Sequence, residues 1–136
     1  MKYRSGYKYQ LAEDLFIQTD ICPDADIDTQ FINLNTKGLL WIKSGYASDG
    51  PSGTTFDYPK KHVMRGAFGH DALCQLFRMK RLPQDAELIL KAHKTAKRLW
   101  LEDGMYRWRA SVWYKALVGL ADFAVDPANA KKVYEV

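Results

Sequence analysis

The chain is 136 residues long, 47% apolar and 13% aromatic, with a formal net charge of +4. That length suits one domain with a real core, and that apolar content excludes a chain disordered throughout. An excess of 20 basic over 16 acidic residues is too mild to demand nucleic acid, and no run approaches the roughly 18–20 consecutive apolar residues of a membrane span.

The first residues, Met1 to Tyr7, are basic with no apolar run behind them, so no signal peptide is expected and the cytoplasm, or a particle released from it, is the expected location. Strands are expected over about residues 7–43. Tyr7–Leu11 and Leu15–Gln18 flank the polar turn Ala12-Glu13-Asp14 and read as a hairpin. Asp20, Asp24, Asp26 and Asp28 cluster in a proline-containing loop. That loop lacks the central glycine and closing glutamate of a calcium loop, so it reads as solvated. Phe31–Leu34 and Leu39–Ile42 bracket Asn35-Thr36-Lys37-Gly38, whose Asn and Gly suit positive-φ turn positions, and read as a second hairpin. The unbroken apolar run Leu39–Ile42 suggests a strand covered on both faces.

Residues 44–59, rich in Gly, Ser, Thr, Asp and Pro, form a long irregular segment of the kind that is usually functional. Its turn Ser48-Asp49-Gly50-Pro51-Ser52-Gly53 has neither the spacing of a phosphate loop nor that of a nucleophile elbow. Three helices follow, at about 60–80, 83–103 and 105–125. Pro83 suits a first turn and Gly104 a stop. The third is expected to pack through Met105, Trp108, Val112, Ala116, Gly119 and Phe123. Strands first and helices after predict an α+β fold: a small antiparallel sheet of N-terminal hairpins packed against three C-terminal helices in a single domain, 1–136. Cys22 and Cys74 make no disulfide framework, and Cys74 reads as a reduced core residue.

At about 100° per residue, Val63, Cys74 and Phe77 fall within about 40° of His70 on the first helix, so the imidazole sits on the packed face. A buried titratable ring needs a partner. Asp71 lies at the edge of that face, and Gly66 and Gly69 beside it allow another backbone or a ligand to approach closely. On the second helix Asp85 aligns with Ile89, Ala92, Ala96 and Leu99 and is expected within reach of His70. Asp85 can also be read as a residue favoured at a helix start by the dipole. The functional reading groups His70, Asp71, Asp49 and Ser52 as an acid/base site, or His70, Asp71 and Asp85 as ligands of a divalent metal ion. His62 reads as a surface or loop-packing residue. His93, set between Lys91 and Lys94, reads as solvated, and Lys91, Lys94, Lys97 and Arg98 as a wet basic face. Arg107, Trp108, Arg109, Trp113 and Tyr114 read as core with cation–π packing.

Ser48–Gly53, then Met64-Arg65-Gly66-Ala67-Phe68-Gly69-His70-Asp71-Ala72-Leu73-Cys74-Gln75-Leu76, then Glu102–Met105 and Arg109-Ala110, resemble a phage and prophage family known as domain of unknown function 1353. The resemblance spans about residues 7 to 120, and Cys74 stands where the family pattern has an aromatic residue. It implies a small bacteriophage or prophage accessory protein acting in the host cytoplasm or virion. Its marked positions are Asp49, Ser52, His70, Asp71 and Asp85. Two readings stay open. One is a hydrolase using His70 with Asp71 or Asp85. The other is a non-enzymatic protein that binds a host or virion protein, with His70 and Asp85 as a structural network.

Overall fold

The computed structural model describes residues 3–4, 9–48 and 60–129. It is an α+β fold with two small antiparallel sheets and a helical half. The first sheet has the order β1 (Tyr3–Arg4), β2 (Tyr9–Leu11), β7 (Ala47–Ser48). The second has the order β3 (Leu15–Gln18), β6 (Leu39–Ile42), β5 (Ile32–Leu34), β4 (Ile27–Asp28).

The β5–β6 hairpin forms as expected, with Ile32 opposite Ile42, Asn33 opposite Trp41 and Leu34 opposite Leu40. Its turn is closed locally: Asn35 Oδ1 accepts from the Lys37 and Leu39 amides, each at 2.9 Å. Gly38 adopts φ +83°, and a Cβ there would stand 2.5 Å from the Thr19 carbonyl oxygen. Gly38→Ala is therefore expected to cost about 1–3 kcal/mol through strain and collision, read as a lower urea midpoint at unchanged slope.

The expected first hairpin does not form. β2 pairs with β1 and β7, and β3 pairs with β6, so the turn at 12–14 passes the chain from one sheet to the other. Distant partners win. The Leu11 amide donates to the Tyr46 carbonyl (3.0 Å), and Asp14 accepts from Trp41 Nε1 (3.0 Å) and the Ser44 amide (2.7 Å). Strand β6 buries Leu40 and Ile42 on one side only. Trp41 on the other side stays partly exposed, stacked on Phe16 at 5.8 Å between ring centroids. In the acidic loop, Asp26 accepts from the Thr36 amide and Asp28 from Lys43.

Helices α1 (Lys60–Arg78) and α2 (Ala86–Glu102) pack antiparallel, since the start of α1 meets the end of α2. Trp100 Nε1 donates to the Val63 carbonyl at 3.1 Å, and Arg65 pairs with Asp103 and Glu102, each at 2.9 Å. The helices approach closely because Gly66 has no side chain: a Cβ there would lie 2.5 Å from Trp100 Nε1 and 3.0 Å from the Ala96 carbonyl. At Gly69 the close neighbours are Ile17 and Leu99. The anticipated close approach is thus made by α2 and by a β3 side chain. The main core runs from Leu11, Ile17, Leu34, Leu40 and Ile42 of the strands to Phe68, Leu73, Leu76 and Phe77 of α1.

The third helical segment is two helices, not one: α3 (Arg107–Gly119) and α4 (Ala121–Val125), broken at Leu120. Gly119 weakens the helix there. Burial of Val125 in the main core and a Gln84 Nε2 bond to its carbonyl (2.8 Å) pull the following turn toward α1. The expected packing face is also corrected. Trp108 is 63% and Val112 55% exposed, whereas Ala110 and Trp113 are buried with Met105 in a second cluster around Trp100. Trp113 meets Trp100 edge-on at 5.3 Å. Among the described residues no helix is long and apolar enough to cross a membrane.

Candidate functional site

His70 Nε2 lies 2.8 Å from His93 Nδ1, joining the middle of α1 to the middle of α2. The rings are tilted by 30° with centroids 5.0 Å apart. Cys74, one turn after His70 and buried, places its Sγ 3.6 and 3.8 Å from the two ring nitrogens of His70. His93 is 1% exposed, which corrects its reading as a solvated residue. The sequence did hold a signal: Trp100 follows His93 by seven residues, about 20° away on the wheel, and an indole marks the packed face better than the flanking lysines mark the wet one.

Burial lowers the pKa of His70 to about 3, with the neighbouring His93 adding to the effect and Asp71 opposing it. Burial also lowers that of His93. Both rings are therefore neutral at pH 7, and one N–H joins them. His93 Nε2 is buried with no hydrogen-bond partner. An orphaned N–H is rarer than an under-used acceptor. We assign the shared proton to His93 Nδ1, donating to His70 Nε2, which leaves a bare lone pair on His93 Nε2.

These depressed values set a pH dependence. The unfolded chain takes up protons near pH 6.5 and the folded one does not, so stability is full above about 6.5 and declines as pH falls toward 3. His70 contributes a slope of roughly 1 kcal/mol per pH unit in that window, and His93, whose pKa burial also lowers, adds in the same direction. Urea midpoints measured from pH 7.5 down to 4.5 should fall steadily, and His70→Asn with His93→Asn should flatten the fall.

Asp71 faces a different group. Its Oδ1 accepts from Arg78 Nη2 at 3.0 Å and its Oδ2 from the Tyr46 hydroxyl at 2.7 Å. Arg78 is one side chain the sequence reading passed over, although seven residues beyond Asp71 it lies on the same helix face. Tyr46 is the other. It is buried, makes edge contacts with Phe31 and Phe68, and ties the start of the 44–59 segment to α1. Burial, reinforced by the Asp71 charge, holds its phenol well above the usual range.

Asp85 is not brought to His70. It is the exposed N-cap of α2, accepting from the Glu87 (2.8 Å) and Leu88 (3.2 Å) amides, which is the helix-start role weighed above in its strongest form. The helix begins at Ala86, not Pro83, and this removes Asp85 from the wheel on which it seemed to face inward. Asp49 and Ser52 lie outside the described residues. His62 packs against Gly104, whose φ of +104° a side chain would strain. Among the described residues no group of three or more His, Cys, Asp or Glu is placed to hold a metal ion. Zinc–nitrogen bonds of about 2.0–2.1 Å at tetrahedral angles put ligand nitrogens about 3.3 Å apart, and the imidazoles at 2.8 Å are hydrogen-bonded instead.

A scan against family models, a search of curated proteins and a search of solved structures each returned no match.

Proposed function

We propose that this chain is a small bacteriophage or prophage accessory protein that works in the host cytoplasm or virion by binding another protein, with His70 as part of a structural lock rather than a reaction centre. The motif resemblance through Ser48–Gly53 and Met64–Leu76 supports the viral origin. The observation that carries the non-enzymatic reading is the 2.8 Å contact between two neutral imidazoles. A ring held near pKa 3 is a poor general base at neutral pH, and Asp71 is engaged by a cation and a phenol instead of orienting it. The partner of His70 in the lock is His93, replacing Asp85.

The test is metal content and stability together. Protein purified without added ions is expected to carry no stoichiometric metal, and His93→Ala is expected to lower the melting temperature by several degrees. A stoichiometric divalent ion that His70→Ala removes while the fold stays intact would overturn this reading and restore the hydrolase.

A further inference from the structure

Helices α2 and α3 run antiparallel. Trp100 meets Trp113, and Lys97, three residues earlier on α2, lies over the ring of Tyr114, one residue later on α3. At about 100° per residue, Leu90, Lys94, Lys97 and Leu101 fall within about 60° of one another on α2, opposite Ala92 and Leu99 of the main core. On α3, Arg107, Tyr114 and Val118 fall within about 40°, on the flank that Lys97 meets. Lys94 and Arg107 are exposed, and so are Leu101 (37%) and Val118 (44%). With Ser111 between Arg107 and Tyr114, both stripes step by four, three and four residues. Two neighbouring helices with that spacing present a groove into which the side chains of a further helix pack.

Charge identifies the occupant. Every charged side chain in the two stripes is a cation. Among the described residues, Lys94, Lys97 and Arg107 form no ion pair. The Tyr114 ring, 5.2 Å from the Lys97 ammonium, orders that charge without neutralising it. Arg98 is turned away from the groove and bonds the Gln18 carbonyl and Glu102. The carboxylates of Glu102 and Asp103 are held by Arg65 and Arg98, and the nearest others in sequence are Glu87, two turns before Lys94, and Asp122, beyond the end of α3. A second copy applied through the same face would set cations against cations. Tyr114 is the one aromatic residue of the two stripes and its ring is covered by Lys97, so a nucleobase finds no stacking platform.

Resting on the protein-binding reading above, we propose that the α2–α3 groove docks an acidic amphipathic helix of another protein, with its apolar side chains between Leu90, Leu101 and Val118 and its carboxylates on Lys94, Lys97 and Arg107.

A displayed library of random helix-forming peptides, selected on the intact chain, tests this. Enriched peptides should carry Leu or aromatic residues at i, i+3/i+4 spacing with Asp or Glu beside them. Lys94→Glu combined with Arg107→Glu, changes at two exposed positions, should weaken them at least tenfold and turn selection toward basic peptides. Lys37→Glu, a charge reversal on the β5–β6 turn, should leave their binding within about twofold. No enrichment, enrichment without acidic bias, or an equal loss in Lys37→Glu overturns the proposal. So does concentration-dependent dimerisation that the double change abolishes, or binding of a 20-mer single-stranded DNA or of vesicles with one-quarter phosphatidylglycerol that is tighter than peptide binding and lost in the same variant. Enriched acidic peptides indifferent to the double change overturn the location while leaving the protein-binding reading standing, whereas the metal and stability measurements above decide that reading separately.

Discussion

Asp71→Ala is expected to lower the unfolding free energy by about 3 kcal/mol. Two groups depend on this carboxylate. Arg78, whose side chain is 9% exposed, loses the partner that neutralises it, and removing one member of a buried pair costs about 3–5 kcal/mol because the other charge stays buried. The buried Tyr46 hydroxyl loses its 2.7 Å acceptor, and an unmet buried donor costs about 1–3 kcal/mol. Asp71 is itself 21% exposed in its side chain, so water moderates the sum. Asp71→Asn should recover part of the loss, since an amide oxygen still accepts from Arg78 or Tyr46. Urea unfolding of the three proteins checks this, and equal stability of wild type and Asp71→Ala would show that the Tyr46–Asp71–Arg78 link carries no weight.

Gly66→Ala should cost about 2–3 kcal/mol, although alanine is ordinarily better in a helix by up to about 1 kcal/mol. The added methyl would lie 2.5 Å from Trp100 Nε1 and 3.0 Å from the Ala96 carbonyl. The first neighbour is a ring held by its bond to the Val63 carbonyl and by edge contact with Trp113, and the second is backbone. Neither moves freely, so α1 and α2 must separate, which is overpacking with a lost hydrogen bond added. The drop should appear as a lower melting temperature together with a red-shifted, quenched Trp100 fluorescence. A more stable protein would mean that α2 yields easily and that helix propensity dominates.

What the chain announces locally is what the fold obeys. Asn35 and Gly38 close the β5–β6 hairpin through bonds spanning four residues, so the turn could be read before the strands were placed. The Tyr9–Leu11 strand could not be paired from sequence, because its partner β7 begins 36 residues further on and the adjacent β3 looks equally suitable. Periodicity located α1 and its buried face, including His70 and Cys74. It misplaced the packed face of α3, whose apolar residues occur on both sides and give the wheel no direction. Lys91 and Lys94 disguised His93, although the side chain between them is closed in by α1. Asp85 misled for a different reason: one helix start set three residues early turned a capping carboxylate into an apparent inward-facing ligand. The candidate site was thus half legible: His70 and Asp71 were both singled out, but their partners His93 and Tyr46 come from other elements of the chain, and Arg78 on Asp71's own helix face was passed over.

The direct test of the imidazole lock is a long-range proton–nitrogen NMR spectrum of the histidine rings across pH 8 to 4.5. The account predicts a proton on His93 Nδ1, a bare Nε2 on His70, a scalar coupling between those two nitrogens through the shared hydrogen, and no titration of His70 in that range. A His70 ring that titrates on its own near pH 6.5, with no coupling to His93, would contradict it.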